Sequence, residues 1–307
     1  MAKVVISEFM DAAAVDEIAK LHDVIYQPEL VDTPEQLALE VSNADALIVR
    51  NRTKVTEELL TAAPGLTCIG RLGVGLDNID LDACRLRNVS VFPATGANDV
   101  SVAEYVMTTA LMLTRGAYQA SSQVAAGTWP RQSLIGGEIA GRTMGLIGFG
   151  SIGREVAKRA RAFDMKIIAY DPFLPRDNEA WSNAESVDLD RLLSRSDVIS
   201  LHVPLTVDTR HMIGKTALNA IKNTAFIINT ARGGVVDEAA LAAALTAGQI
   251  AGAALDVFET EPLGPEQGFM FVGLDNIILT PHIAGVTDES NGRVSALTAR
   301  QVLQHLL

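Results

Sequence analysis

Positive charge is scarce in this chain. Its 25 lysines and arginines stand against 37 aspartates and glutamates, a formal net charge of −12 at pH 7. A molecule of that sign repels phosphate backbones, which excludes nucleic acid as a partner. No run of about 18 apolar residues is present, so nothing is expected to cross or anchor in a membrane. Cysteine is nearly absent. Cys68 and Cys84 are too few for a disulfide framework, are not spaced as Cys-x-x-Cys, and have no histidine-rich surroundings, so no metal site is expected. They read as free thiols of a reducing, cytoplasmic compartment. The opening Met1-Ala2-Lys3-Val4-Val5-Ile6 runs straight into a strand, and no secretory leader is expected.

What the chain does have is length and apolar residues. Its 307 residues, 48% of them hydrophobic, suffice for two domains with a core each. In the first part, short apolar runs alternate with helix-like segments. Strands are predicted over 4–6, 24–26, 46–49, 68–70 and 89–92, and helices over 11–21, 56–63 and 80–87. Thr33-Pro34-Glu35-Gln36 predicts another helix start, with Thr33 as cap and Gln36 closing a capping box. Pro93-Ala94-Thr95-Gly96-Ala97-Asn98 interrupts the alternation, and Ser101-Val102-Ala103-Glu104 reads as a capping box opening a long helix. A second series then places strands over 145–147, 166–170, 198–202, 226–229, 252–255 and 277–279. Residues 288–307 read as one helix with nothing of its own to pack on, so it is expected to return to the first domain. The expected fold is α/β, with two doubly wound parallel-sheet domains. One comprises 1–97 with 285–307; the other, 98–284, is a dinucleotide-binding Rossmann sheet.

Gly148-x-Gly150-x-x-Gly153 lies between the strand Met144-Gly145-Leu146-Ile147 and a helix with Ile152, Val156, Ala160 and Phe163 on one face. Gly148 allows the tight turn, Gly150 lets a pyrophosphate approach the backbone, and Gly153 lets helix and strand pack closely. The helix start at Ser151 and Ile152 then turns unpaired N–H groups toward the phosphates. Asp171 ends the next strand, 18 residues beyond Gly153. Its carboxylate can accept the ribose hydroxyls and would repel a 2′-phosphate, which favours NAD over NADP.

Three further residues follow predicted strand ends, where a parallel sheet exposes its ligand crevice. Arg232, in Asn229-Thr230-Ala231-Arg232-Gly233-Gly234, can hold a carboxylate bidentately. His282, after Pro281, can exchange a proton with a hydroxyl near neutral pH. An acid on its other ring nitrogen would fix the tautomer; Glu261 is the candidate, with Glu259 as rival. A cation, an imidazole and an acid beside a dinucleotide turn point to hydride transfer on a small carboxylated substrate.

These residues resemble the D-2-hydroxyacid dehydrogenase family, and within it the phosphoglycerate dehydrogenase group. The motifs are Gly148-Phe149-Gly150-Ser151-Ile152-Gly153, the Asn229–Gly234 stretch, Ala254-Leu255-Asp256-Val257-Phe258 through Glu261-Pro262, Pro281-His282 and, in the first domain, Gly73-Val74-Gly75-Leu76-Asp77-Asn78-Ile79-Asp80. The resemblance implies that Arg232 binds substrate, His282 is the acid/base and Glu261 its partner. It implies that Asp256 lies near the nicotinamide carboxamide, that His202, Pro204, Thr230 and Gly285 help line the cofactor, and that the Val74–Gly75 backbone holds the substrate carboxylate. It further implies a flavodoxin-like first domain and a homodimer joined through the NAD-binding domain. Val286 departs from the family's usual small polar or bulky aromatic residue.

Arg50, Arg52 and Lys54 follow one predicted strand and Arg71 another. In the resembling group, a basic residue at the Arg50 position contacts a distal phosphate. The expected substrate is a three-carbon 2-hydroxy acid with an anion at each end. Phosphoglycerate fits, and so does sulfolactate, labelled S at the same handedness because its sulfur-bearing carbon outranks the carboxyl. Hydroxypyruvate and glyoxylate would need no such cluster. An NAD-sensing corepressor, which uses the same fold as an interaction module, is the alternative from another class.

Overall fold

The structure, a computed structural model, describes residues 1–307 and divides into two compact units. One comprises Met1–Asn98 with Val286–Leu307, the other Asp99–Gly285. Each boundary lies one residue beyond the position expected from the sequence.

The first unit is a five-stranded, wholly parallel sheet: β1 (Lys3–Ile6), β2 (Asp23–Tyr26), β3 (Ala46–Val49), β4 (Cys68–Arg71) and β5 (Ser90–Pro93). Their order, β2-β1-β3-β4-β5, is the flavodoxin-like one. All four residues of β3 are buried, as a strand covered on both faces must be. Val5, Leu47, Val49 and Ile69 pack toward one layer; Val4, Ile6, Ala46, Ile48 and Cys68 pack toward the other. The connecting helices are α1 (Ala12–Ala19), α2 (Pro34–Val41), α3 (Glu57–Ala62) and α4 (Leu81–Leu86). Asp11, Thr56 and Asp80 cap α1, α3 and α4 by accepting first-turn N–H groups. Thr33 does not cap α2. Its backbone leaves a 3₁₀ turn, Pro28–Asp32, at φ −131° and ψ 74°, and its side chain makes no cap bond.

The second unit opens with α5 (Asp99–Arg115) and α6 (Ser121–Ala125). Helix α5 starts at Asp99, so Ser101 is a buried first-turn residue and not the cap expected from its Ser-x-x-Glu pattern. Next come β6 (Thr143–Ile147), α7 (Ser151–Ala162), β7 (Lys166–Tyr170), β8 (Glu185–Ser186), α8 (Leu189–Arg195), β9 (Val198–Leu201), α9 (Lys215–Ala220), β10 (Phe226–Asn229), α10 (Glu238–Thr246), β11 (Gly252–Leu255), α11 (Pro265–Gly268) and β12 (Ile277–Leu279). The sheet is parallel, in the order β12-β11-β10-β9-β6-β7-β8. It has seven strands where the sequence predicted six. The extra one, β8, is two exposed polar residues at the edge, with no apolar run to announce it. Strand order reverses between β6 and β9, so the ligand crevice of this unit lies at their carboxyl ends.

The last helix, α12 (Asp288–Leu306), packs on the first unit, with Val294, Ala299 and Val302 in its core. Gly70 makes room for it. A Cβ there would stand 2.7 Å from Thr298 Cγ2 and 2.8 Å from Val302 Cγ2. No helix is long and apolar enough to cross a membrane.

Candidate active site

At the switch point of the second unit, Gly148 takes φ +90°, and a Cβ on it would lie 2.4 Å from the His202 carbonyl oxygen. A Cβ on Gly153 would stand 2.5 Å from the Gly148 carbonyl oxygen. Gly150 differs, because nothing lies within 4 Å of its missing Cβ, leaving open room beside the turn. Gly150 is also the N-cap of α7 and offers no side-chain bond, so the first N–H groups, at Ser151 and Ile152, have no side-chain acceptor. Asp171 stands directly after β7. Its Oδ2 accepts the Phe149 N–H at 2.9 Å and its Oδ1 the Phe173 N–H at 3.0 Å, which fixes the carboxylate beside the turn. Phe149 is buried and stacks on Trp181 at 5.3 Å. Across the switch point, burial pushes the His202 imidazole down to about 4, so it is neutral near pH 7, and its Nε2 lies 3.0 Å from Ser200 Oγ. Pro204 follows, its carbonyl accepting the Thr209 hydroxyl at 2.6 Å. The Thr230 hydroxyl is buried and has no protein partner, as a group meant for a ligand would be. Open glycine turn, uncapped helix, fixed acid and orphaned hydroxyl together fit a dinucleotide.

His282, Glu261 and Arg232 come from three loops after β12, β11 and β10, and the structure brings them together. His282 Nδ1 lies 2.7 Å from Glu261 Oε2, and Glu261 Oε1 accepts the Phe258 N–H at 3.0 Å. Burial alone would push the Glu261 carboxyl up. The hydrogen bond from His282, the Phe258 N–H, and the charges of His282 and Arg232 outweigh it and hold the group below its ordinary range. Nε2 is left as the ring nitrogen for proton exchange. Arg232 is held through its backbone. Asn229 donates to the Arg232 carbonyl at 3.0 Å and accepts the Ala231 N–H at 3.0 Å, while Arg232 Nη1 donates to the Ala231 carbonyl at 2.5 Å. Gly233 lets this loop meet the Glu261 loop backbone to backbone, since a Cβ there would be 1.8 Å from the Phe258 carbonyl oxygen. The rival acid, Glu259, is engaged elsewhere. Its carboxylate faces His211 Nε2 at 3.1 Å, and its N–H donates to the buried Glu238 at 2.6 Å.

Asp256 does more than its sequence position indicated. Its carboxylate, 1% exposed, accepts Thr280 Oγ1 at 2.6 Å and the N–H groups of Ile283 and Ala284 at 2.8 Å each. His282 itself sits at φ +53°, its N–H donating to the Asp256 carbonyl at 2.8 Å. Tyr105 of α5 closes the chain with its hydroxyl 2.5 Å from Thr280 Oγ1, and burial keeps the phenol neutral by pushing it up to about 12. Sequence reasoning missed Tyr105, Thr280, Asn229 and Glu238. The only available signal was a polar residue at a strand end, as at Asn229 and Thr280.

In the first unit the basic residues part company. Arg52 forms an exposed ion pair with Asp32. Lys54 follows it and is also exposed. The Arg50 guanidinium lies 5.9 Å over the Phe9 ring and donates to Asn291 Oδ1 at 2.9 Å, with no carboxylate in salt-bridge contact. Burial lowers its pKa, while the Glu8 charge raises it. Arg71 is the last residue of β4, its Nη1 donating to the Leu72 carbonyl at 3.0 Å. Its guanidinium lies against Gly73 (φ +144°), where a Cβ would be 1.6 Å from Nη1. Val74 and Gly75 continue that half-buried loop.

Residues 107–284 match the family model described as D-isomer specific 2-hydroxyacid dehydrogenase, NAD binding domain. The chain is 51% identical over its full length to a (S)-sulfolactate dehydrogenase of Chromohalobacter salexigens, covering 99% of that protein. It is 40% identical to a D-3-phosphoglycerate dehydrogenase of Archaeoglobus fulgidus over 98% of its own length but only 56% of that relative's. Among solved structures, the D-lactate dehydrogenase of Aquifex aeolicus complexed with NAD and lactic acid superposes with a TM-score of 0.86 at 33% identity, covering 99% of this chain and 95% of that one.

Proposed function

The chain belongs to the D-isomer specific 2-hydroxyacid dehydrogenase family, and from that premise we propose that its substrate is a three-carbon 2-hydroxy acid with a distal anion, a sulfonate as in (S)-sulfolactate before a phosphate ester. It is an NAD-dependent oxidoreductase, as its relatives are. The observation that carries the substrate reading is the 51% identity to a sulfolactate dehydrogenase from end to end. The Arg50 guanidinium, half-buried and without an ion pair, supports it as the contact for the distal charge. Arg52, committed to Asp32, is the weaker candidate.

Bound NAD(H) supplies or accepts the hydride at C2. In the reducing direction, protonated His282 gives its Nε2 proton to the carbonyl oxygen, and Glu261 on Nδ1 holds the ring and stabilises the imidazolium. Arg232 pairs with the substrate carboxylate and polarises the carbonyl. Arg71 and the Val74–Gly75 backbone are proposed as further carboxylate contacts. Gly148, Gly150, Ser151, Ile152, Gly153, Asp171, His202, Pro204, Thr230, Asp256 and Gly285 are proposed to form the NAD site. The remaining parts of the reading are a homodimer joined through the NAD-binding unit and a cytoplasmic location.

Two measurements test this reading. NADH consumption against sulfopyruvate, 3-phosphohydroxypyruvate, hydroxypyruvate, glyoxylate and pyruvate should give kcat/KM at least about tenfold higher for sulfopyruvate than for the three acids without a distal anion, the difference one good ion pair supplies. Equal rates on hydroxypyruvate would overturn the distal-anion reading, and no turnover on any of the five would return the interaction-module alternative. For the cofactor, Asp171→Asn removes the charge and keeps one acceptor oxygen, for either the Phe149 or the Phe173 N–H, with the amide nitrogen in place of the other. The kcat/KM preference for NADH over NADPH should fall by about tenfold or more, roughly 1.4 kcal/mol; an unchanged ratio would show that Asp171 does not select the cofactor.

A further inference from the structure

In the first unit, the loop that follows β3 is gripped by a carboxylate that forms no salt bridge. Glu8, 5% exposed, accepts the N–H of Arg50 at 2.8 Å and of Thr53 at 2.9 Å on Oε1, and that of Arg52 at 3.1 Å on Oε2. From the carbonyl side, Asn78 Nδ2 donates to Arg50 at 3.2 Å and to Thr53 at 2.6 Å. Ser7 Oγ lies 3.0 Å from Thr53 Oγ1 and adds a third tie. Residues 50–53 are therefore held from both edges of their backbone.

A buried carboxylate is a costly way to close a loop, and a serine or asparagine would serve for one N–H group. Three charge-assisted bonds, from the N–H groups of Arg50, Arg52 and Thr53, offset that cost and also do something a smaller residue cannot. They fix the direction in which the chain leaves β3, and with it the Cα–Cβ vector of Arg50. They also occupy the N–H groups of Arg50, Arg52 and Thr53, which leaves the Arg50 guanidinium as the fixed cationic donor at this end of the loop. The next residue continues the arrangement. Phe9, 51% exposed, lies under the Arg50 guanidinium, and Asn291 of α12 takes one of its N–H groups. Both of these partners are neutral, and Glu8, whose charge acts on Arg50 through space, bonds the loop's N–H groups and not the guanidinium, so the cation is oriented without an ion pair.

We propose that Glu8 is the positioning residue that aims Arg50 at the substrate's distal anion, and so sets the preference for doubly anionic acids. This rests on the reading that Arg50 takes that anion. No local pattern announces it, because Glu8 lies in the turn leaving β1, far along the chain from Arg50.

The test is steady-state kinetics of the full-length enzyme with NADH and either sulfopyruvate or hydroxypyruvate. Glu8→Gln places an amide donor against backbone donors. It should raise KM for sulfopyruvate about tenfold, the scale of a lost charge-assisted bond. The kcat with sulfopyruvate, and both constants with hydroxypyruvate, should stay within about twofold. Unchanged kinetics on both acids, or an equal loss on both, would overturn the proposal. Arg50→Gln separates the two levels. If it keeps the preference for sulfopyruvate, the distal-anion reading falls and Glu8's role with it. If it loses the preference while Glu8→Gln keeps it, only the role of Glu8 falls. Should Glu8→Gln not fold, Asn78→Ala loosens the same loop from its other edge, and the same selective or non-selective outcomes decide.

Discussion

Replacement of His282 by alanine is expected to lower kcat by roughly two to four decades, the usual worth of a positioned acid–base group. The expectation rests on geometry. Glu261 Oε2 lies 2.7 Å from Nδ1, so that nitrogen carries the proton and Nε2 is the one that exchanges with substrate. Glu261 is kept ionised by His282, the Phe258 N–H and Arg232 despite its partial burial, which lets it stabilise the imidazolium. Losing the imidazole removes the proton donor but leaves the glycine turn and Asp171 untouched. Binding of NADH, followed by its fluorescence, should therefore be unchanged while turnover collapses. A His282→Ala enzyme with the turnover of the parent would sink the assignment of His282 as acid/base. A variant that also lost NADH binding would show that the histidine holds the cofactor site together.

The second large effect is expected at Asp256. Its carboxylate accepts a hydroxyl and two N–H groups from the loop that carries His282, and it is buried. Asp256→Ala strands the N–H groups of Ile283 and buried Ala284 and leaves the Thr280 hydroxyl with Tyr105 alone. At about 1–3 kcal/mol for each unsatisfied group, discounted for relaxation of an irregular loop, a loss of roughly 3 kcal/mol is expected. That corresponds to a fall of roughly 6–12 °C in melting temperature for a unit of this size. Activity should fall as well, because His282 holds a left-handed backbone, φ +53°, that the loop must enforce. A misplacement of about 1 Å in a catalytic group is worth roughly 10²-fold in rate. Thermal unfolding without cofactor separates this anchoring role from a contact with nicotinamide. An apoenzyme as stable as the parent, with only NAD binding weakened, would assign Asp256 to the cofactor alone.

Much of the fold could be read from the chain because its strands are buried on both faces. Runs such as Ala46–Val49 and Phe226–Asn229 leave little choice but a parallel sheet under helices, and both appear with the predicted bounds. Strand β8 escaped because two exposed polar residues carry no periodic signal. The Ser101 and Thr33 caps failed because a cap depends on the φ and ψ of the capping residue itself, which tertiary packing decides. At the site, Arg232, Glu261 and His282 could be found because each follows a strand, and strand ends in such a sheet face the crevice. Choosing Glu261 over Glu259 was a different matter. The two lie in one loop, and which faces the imidazole depends on the Gly233 loop packing against Phe258 and on Glu238 claiming the Glu259 N–H.

By itself, the order of residues determined what kind of protein this is. Glycine spacing, apolar runs and the acid after β7 are local, and local chemistry is enough to demand a dinucleotide turn on a parallel sheet. Only the tertiary structure decided which charges are free to act. Arg50 and Arg52 are two residues apart and chemically the same, yet Arg52 is paired with Asp32 while Arg50 is held by Asn291 and Phe9 without an ion pair. That division comes from Asp32 and from Asn291 of α12, which reach the two guanidinium groups from distant parts of the chain, and nothing in the neighbourhood of Arg50 could have announced it.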